Sequence, residues 1–384
     1  MSYVHYSQTC PTIMGSGAVE ALGIKAKEYQ VKKAVIVTDP GLSKTDVITK
    51  VKKSLEDQGI GYVLYDKVNV DPLDTVCEEG AEFAKKNQAD AVVGVGGGSS
   101  LDCAKAVDLL LSNPAPLSQY YESWDYKECP PLFLLPTTAG TGSENTIYGV
   151  ISDTALHVKK VIFKTGTCAI CDPELTYGLP PALTAATGMD AFAHAAETMT
   201  GLIQNPKTDA LGKYAIHKIV KWLPVAVREP GNKEAREEMM LASNMAGIAF
   251  TEMGCHLGHA IAQCMGGAFH VTHGISCAWA LPATMAYAAV TEADKVKMVA
   301  DAMGVAYPED VTPEQIGTIV ADAISDLMRT LELKPMSAYG ITRDALIGIA
   351  DIVMKDNCWP VIPRPLNKEQ LEDLLGYVYD SYQG

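Results

Sequence analysis

Basic residues are scarce in this chain. Its 384 residues include 31 Lys and Arg against 46 Asp and Glu, a formal net charge of −15. No Lys/Arg cluster exceeds the Lys32-Lys33 and Lys159-Lys160 pairs. With no basic face to offset that field, nucleic acids and other polyanions are excluded as partners. Long apolar runs are lacking too. The most apolar window, Ile275 to Val290, is broken by Pro282 and falls short of the roughly 20 apolar residues that span a bilayer, so no membrane partner is expected. The stretch from Met1 to Cys10 has neither the basic nor the apolar segment of a secretory signal. Paired cysteine motifs are almost missing: ten Cys stand at irregular spacing, with one CxxC at Cys168-Ala-Ile-Cys171. These features point to free thiols in a reducing cytoplasm. The CxxC runs into Asp172-Pro173 like a strand entering a turn, which favours a buried structural place over zinc or redox chemistry. Repeats, low-complexity tracts and long linkers are absent as well. What remains is 48% hydrophobic and 20% charged, a globular composition with ample core and length for about two domains.

The first half alternates short apolar runs with amphipathic stretches. Ala34 to Thr38, Gly61 to Tyr65, Ala91 to Val95 and Leu132 to Pro136 read as strands. Lys44 to Gln58, Asp74 to Gln88 and Ser100 to Leu111 read as helices. That order predicts parallel strands with crossover helices, and ligands bind such sheets at the carboxyl ends of the strands. After Leu179 the pattern changes: Pro180-Pro181 punctuates the chain, and the rest is rich in Ala, Met, Leu and Glu at helical spacing. The expected organisation is an α/β nucleotide-binding domain over residues 1–180 and an all-helical domain over 181–384.

Two loops of the first half suit phosphate. Gly94-Val-Gly96-Gly97-Gly98-Ser99-Ser100 follows a strand and opens a helix containing Asp102 and Lys105. Its glycines let the backbone approach an anion, and the helix N-terminus supplies unpaired N–H groups. It matches neither GxGxxG nor the P-loop spacing, so a plain tight turn is the alternative. Pro136-Thr137-Thr138-Ala-Gly-Thr141-Gly-Ser143-Glu144 again follows an apolar strand, with hydroxyls beside glycines. Two such loops on neighbouring strands favour a dinucleotide. Asp39, after the first strong strand, suits a ribose 2′-hydroxyl and repels a 2′-phosphate, favouring NAD over NADP.

Of eight histidines, His256, His259, His270 and His273 lie within eighteen residues. Upstream, Asp190 and His194 stand one helical turn apart, so they share a face on which Glu197 lies nearby. Alone, that pair also suits an ordinary helix surface. Gly266-Gly267 lets the chain turn back between His259 and His273, and the four residues together offer three imidazoles and one carboxylate. Such a set suits Fe²⁺ or Zn²⁺ better than Mg²⁺ or Ca²⁺.

These motifs as a set resemble the iron-containing (group III) alcohol dehydrogenases: Gly96-Gly-Gly-Ser99 with Asp102 and Lys105, the Pro136–Glu144 loop, Asp172-Pro-Glu-Leu175, Leu179-Pro-Pro181, Gly188-Met-Asp190 with His194, and His259 with His273-Gly274. The resemblance covers nearly the whole chain. It implies a Rossmann-like N-terminal domain with a parallel sheet and an all-α C-terminal metal domain, the dehydroquinate synthase-like fold, with the site in the cleft between them. It further implies Asp190, His194, His259 and His273 as metal ligands. The cofactor would be held by Gly96, Gly97, Gly98, Ser99, Asp102, Thr137, Thr138, Thr141 and Ser143, with Asp39 near the adenosine ribose and Lys159 or Lys160 near the cofactor. At least a homodimer is the family expectation.

Two departures stand out. Gln263 occupies the position four after His259 where many members carry histidine, which leaves His270 first, and His256 second, as proton-relay candidates. Where the family often has Asn-Pro-Arg, this chain reads Asn357-Cys-Trp-Pro-Val-Ile-Pro-Arg364. The expected activity is reversible hydride transfer between nicotinamide and a small primary alcohol, diol or hydroxy acid, or the matching aldehyde. Tyr148, Phe250, Phe269, Cys358 and Trp359 are candidate pocket residues, with ordinary core as the alternative. A dehydroquinate synthase-like lyase and a non-catalytic nucleotide- and metal-binding module are the competing readings. The lyase needs a basic pocket for which the helical half has few residues.

Overall fold

The computed structural model describes residues 6–384; His5 lies outside the described residues. The chain divides into two compact units, Gln8–Gly178 and Leu179–Gly384, with Tyr6 and Ser7 belonging to the second.

The first unit is built on β1 (Thr12–Met14), α1 (Ala21–Glu28), β2 (Lys33–Val37), α2 (Asp46–Glu56), β3 (Gly61–Tyr65), α3 (Asp74–Lys86), β4 (Ala91–Gly96), α4 (Gly98–Ser112), β5 (Leu132–Pro136), β6 (Tyr148–Asp153), β7 (Val158–Phe163) and β8 (Cys168–Cys171). Six strands form one parallel sheet in the order β1-β8-β5-β4-β2-β3. The run Ala34-Val-Ile-Val37 is buried throughout because both faces of the sheet are covered. Val35 and Val37 join Val92, Leu132 and Leu134 in one core cluster, whereas Ala34 and Ile36 join Ala91, Val93 and Phe133 in another. A strand alternates its side chains between faces, so a doubly covered strand must be apolar at every position. Cys168 and Cys171, three apart on β8 and both buried, point to opposite faces by the same alternation. They can neither bridge nor share an ion. Asp172 ends β8, and its carboxylate accepts the N–H groups of Gly17, Val19 and Glu174.

Strands β6 and β7 form a separate antiparallel pair that the sequence pattern did not single out. Its turn is closed by Asp153, whose Oδ1 accepts the N–H groups of Ala155 and Leu156 at 2.9 and 2.7 Å.

The second unit is helical: α5 (Pro181–Thr200), α6 (Pro206–Arg228), α7 (Lys233–Met253), α8 (Leu257–Phe269), α9 (His273–Met303), α10 (Pro313–Thr330), α11 (Arg343–Ile347), α12 (Ala350–Val353) and α13 (Lys368–Asp380). The starts follow helix-capping chemistry. Pro occupies the first turn of α5, α6 and α10, Asn205 and Asn232 cap α6 and α7, and Thr312/Gln315 and Asn367/Gln370 form reciprocal capping boxes. The window broken by Pro282 is the buried first half of α9. Among the described residues no helix is long and apolar enough to cross a membrane.

Candidate metal centre and nucleotide loops

Helix α5 carries Asp190 and His194 one turn apart, α8 carries His259, and α9 opens on His273. Their polar atoms converge. Asp190 Oδ1 lies 3.9 Å from His194 Nε2, 3.7 Å from His259 Nε2 and 3.6 Å from His273 Nε2. Two ligands about 2.0–2.2 Å from one ion at a tetrahedral angle stand about 3.3–3.6 Å apart, so each imidazole lies within tenths of an ångström of that span from Asp190; the donor atoms of Asp190, His259 and His273 cluster within 4.8 Å, while His194 clusters with Cys255 and His259. Three of the side chains are buried, and His273 is about one-third exposed, at 36%, which leaves the group open on its side.

A carboxylate orients His259. Glu197, one turn beyond His194 and fully buried, accepts His259 Nδ1–H on Oε1 at 2.9 Å. Its Oε2 accepts the backbone N–H groups of His256 at 2.7 Å and His259 at 3.3 Å. With the Nδ1 proton committed to Glu197, Nε2 is the ring nitrogen that faces Asp190 and its neighbours, and loss of its proton frees the lone pair that a metal-ligating histidine requires. This closeness depends on Gly258, where a Cβ would stand 2.3 Å from Glu197 Oε1. His194 is backed by Phe250, whose ring stacks on the imidazole at 4.4 Å and 9°.

The electrostatics call for a cation. Burial pushes the Glu197 carboxyl up, but the His259 and His256 imidazoles and their hydrogen bonds outweigh it and hold the group at about 2. Burial likewise opposes ionisation of Asp190, yet His194, His259 and His273 hold it well below the usual carboxylate range. The stacked imidazoles of His194 and His259, 4.5 Å apart, do not both take a proton. Burial drives His194 down to about 4 against the pull of Asp190. For His259 burial is outweighed by the Cys255 and Cys277 thiols, Glu197 and the hydrogen bond to Asp190, which raise it well above its ordinary value. Two buried carboxylates thus retain a proton on His259, and a divalent ion meets the same need with more charge. The donor set fits Fe²⁺ or Zn²⁺.

His256 and His270 are placed elsewhere. The His256 ring is fully buried, with Nε2 2.9 Å from Thr200 Oγ1. His270 is exposed and ends α8 in the left-handed conformation, φ 55°. Gln263 donates to Cys358 Sγ at 3.4 Å. Sequence reasoning passed over Cys277, four residues after His273 on α9, whose Sγ is 3.5 Å from His273 Nε2 and 3.6 Å from the Asp190 carboxylate. The signal was there: the spacing is that of the Asp190/His194 pair.

In the first unit the two glycine-bearing loops leave adjacent strands β4 and β5. Thr137 N–H donates to Gly96 O at 2.9 Å. Thr141 packs so closely that a Cβ on Gly98 would meet its Cγ2 at 2.9 Å, and Thr138 Cγ2 would stand 3.5 Å from a Cβ on Gly97. Gly96 has φ +150°, a backbone that side chains rarely adopt, and a Cβ there would strike Ser100 at 2.6 Å. No side chain caps α4, which begins at Gly98 with Ser99 in its first turn; the Ser100 and Leu101 N–H groups turn back to Gly97 O at 3.0 and 3.2 Å, and those of Gly98 and Ser99 are the ones that can meet a phosphate. Asp39 uses Oδ1 to accept Gly41 and Leu42 N–H at 2.9 Å each. Its Oδ2 points toward Gly96, 3.9 Å from a Cβ built there.

Asp102 and Ser143 bond to each other: the Ser143 hydroxyl donates to Asp102 Oδ1 at 2.6 Å, and Oδ2 accepts Val150 N–H at 3.1 Å. The fully buried Lys105 joins them, donating to Ser143 Oγ and Thr146 Oγ1 at 3.1 Å each. This network ties α4 to the second loop and to β6. Lys159 pairs with Asp71 at 2.8 Å, and Lys160 projects from the opposite face of β7.

Comparison with known proteins agrees with this geometry. Residues 11–173 match the sequence model described as iron-containing alcohol dehydrogenase, and residues 184–379 match that of the Fe-containing alcohol dehydrogenase family, C-terminal. The chain is 38% identical over 373 residues to the NAD-dependent methanol dehydrogenase of Bacillus methanolicus, covering 95% of this chain and 97% of that protein. It is 34% identical to the sulfoacetaldehyde reductase of Bilophila wadsworthia, covering 98% of each. A crystal structure of 1,3-propanediol oxidoreductase superposes with a TM-score of 0.94 at 31% identity, over 98% of this chain and 100% of that one. The parallel six-stranded α/β unit and the helical unit are thus those of an oxidoreductase fold, and the chain belongs to the iron-containing alcohol dehydrogenase family.

Proposed function

We propose that the chain is a metal-dependent, NAD-linked alcohol dehydrogenase that also works as an aldehyde reductase on a small primary alcohol, diol or hydroxy acid. The observation that carries this reading is the convergence of three imidazole Nε2 atoms on Asp190 Oδ1. Asp190, His194, His259 and His273 would hold Fe²⁺ or Zn²⁺. When bound, the ion supplies Lewis acidity toward a substrate oxygen, and NAD supplies the hydride acceptor. Glu197 fixes the His259 tautomer, and Phe250 fixes the His194 ring plane. The N-terminal N–H groups of α4 and the hydroxyls of Thr137, Thr138 and Thr141 serve the cofactor phosphates, so an acidic chain needs no basic surface to bind a dinucleotide. Asp39 serves the adenosine ribose and disfavours NADP. Asp102 and Ser143 hold the two loops together, while one of Lys159 and Lys160, which project from opposite faces of β7, borders the cofactor.

The exposed His270 is the proposed group for passing the alcohol proton to water, and the buried His256, pinned by Thr200, positions Glu197 from the far side. Supporting a cytoplasmic location, all ten cysteines are free thiols. Assembly is proposed to be a homodimer or higher homo-oligomer. The test is net formation of reduced nicotinamide from a panel of short alcohols, diols and hydroxy acids, before and after chelation and after restoring Fe²⁺ or Zn²⁺. Turnover that ignores chelation refutes the metal role, and NAD recycled with no net reduction indicates a lyase. An unchanged turnover and pH profile in His270→Asn removes the relay.

A further inference from the structure

Helix α4 carries charge at three successive turns of one face: Asp102, Lys105 and Asp108. Lys105 and Asp108 are fully buried. Asp108 is matched by Lys164, just past β7, at 2.8 Å. Lys105 is held differently. Asp102 Oδ1 lies 3.7 Å from its Nζ, outside hydrogen-bonding reach. The ammonium instead donates to Ser143 Oγ and Thr146 Oγ1 at 3.1 Å each and to Tyr148 O at 2.5 Å, which uses every proton it has.

All three acceptors come from the run that leads out of the second nucleotide loop into β6. The Ser143 hydroxyl proton is committed to Asp102, so its lone pairs face Lys105. Its backbone N–H donates to Thr141 Oγ1 at 3.3 Å, and Thr141 is the residue packed against Gly98 at the start of α4. Without the ammonium, three oxygens would converge on one dry point with no donor among them, an arrangement too costly to persist. We propose that Lys105 is a positioning residue for NAD. Too deep to touch the cofactor, it draws Ser143, Thr146 and Tyr148 onto one point and holds the loop over 137–143 in its cofactor-binding shape before NAD arrives. This inference rests on the reading of the two loops as the NAD site. Lys105 acts by shaping the loop and not by attracting phosphate, because the neighbouring Asp102 and Glu144 carboxylates offset its charge.

The test measures NAD binding by calorimetry and Zn²⁺ binding by chelator competition in full-length Lys105→Met. The NAD dissociation constant should rise about tenfold or more, with Zn²⁺ affinity and kcat at saturating NAD unaltered. An NAD affinity within twofold of the parent overturns the proposal. Asp108→Asn disturbs the next turn of the same face without reaching the loop, so it should lower stability and leave NAD binding unchanged. An equal loss of NAD affinity in that variant reduces Lys105 to part of the core and also overturns the proposal. Because Lys105 works through Ser143, the loss in Lys105→Met/Ser143→Ala should fall short of the product of the single losses; fully multiplicative losses count against it. Hydrogen exchange on the unsubstituted protein needs no variant to fold. The Asn145 and Thr146 amides, bonded to Gly142 O and Ser143 O, should be protected equally with and without NAD, and protection that appears only with NAD overturns a loop shaped in advance. A parent that binds no NAD overturns both this inference and the reading beneath it.

Discussion

Replacing Glu197 by Gln keeps the side chain's shape and removes its charge, and its effect follows from which atoms surround each oxygen. Oε2 faces two N–H donors, the backbone amides of His256 and His259, and Oε1 faces His259 Nδ1. The glutamine NH₂ cannot point at the two amides without setting donors against each other in a fully buried place. It must therefore face Nδ1 and donate to it. That forces the His259 proton onto Nε2, where it occupies the lone pair that would bind the ion. Lost support of this kind costs about 10–100-fold in metal affinity, or about 1.4–2.7 kcal/mol. Chelator competition with Zn²⁺ or Co²⁺ measures it, with circular dichroism confirming that the variant folds. The metal-free protein gives a second reading. Glu197 is held at about 2, below its unfolded value of about 4.3, so between these values the unfolded chain binds more protons and stability rises with pH. The stability gap between parent and variant is therefore full above pH of about 4 and shrinks as the pH falls toward 2. A Glu197→Gln protein that binds metal within twofold of the parent would falsify the tautomer argument.

Three further outcomes follow from the same geometry. Gly258→Ala puts a methyl 2.3 Å from Glu197 Oε1, so the carboxylate must turn away and metal affinity should fall by about tenfold; unchanged affinity in chelator competition would show that Glu197 does not orient His259. His194, held down to about 4 by burial, binds fewer protons folded than unfolded between that value and about 6.5, so its contribution makes the metal-free protein less stable as pH falls through this window, by about 3 kcal/mol in all. Thermal melts of parent and His194→Gln should converge toward the acid end, and parallel curves would count against a neutral buried His194. Gly96→Ala strains a φ of +150° and drives a Cβ to 2.6 Å from Ser100, a penalty of about 1–3 kcal/mol. Calorimetry should show weaker NAD binding with metal affinity unaltered, and an intact NAD affinity would remove this loop from the cofactor site.

The doubly covered strands were legible because burial on both faces demands apolar residues at every position: Ala34 to Val37, Ala91 to Val95 and Leu132 to Pro136 announce themselves by composition. Strands β6 and β7 do not. Tyr148 to Asp153 is buried at alternate residues and β7 is largely half-exposed, so neither has a run that stands out, and their turn depends on the Asp153 side chain. Asp190 and His194 were legible as a pair because one helical turn puts them on one face. Bringing His259 and His273 to the same point requires α8 to end and α9 to return, which glycines permit but do not dictate.

The dense histidine segment shows where reading by proximity stops. His256 and His259 stand three residues apart, and both engage Glu197, one through its backbone N–H and the other through its backbone N–H and Nδ1. Yet the His256 ring turns to Thr200, while His259 turns to Asp190. The residue that separates them is a carboxylate far away in sequence, whose two oxygens offer a place for one ring to be oriented and for the amides beside it. Cys277 is the converse case. It stands outside the histidine segment and was taken as one more reduced thiol, but its position one turn after His273 obeys the rule that paired Asp190 with His194. In this chain, helical spacing is a better guide to which side chains meet Asp190 than histidine density, because a turn of helix fixes direction and closeness in sequence does not.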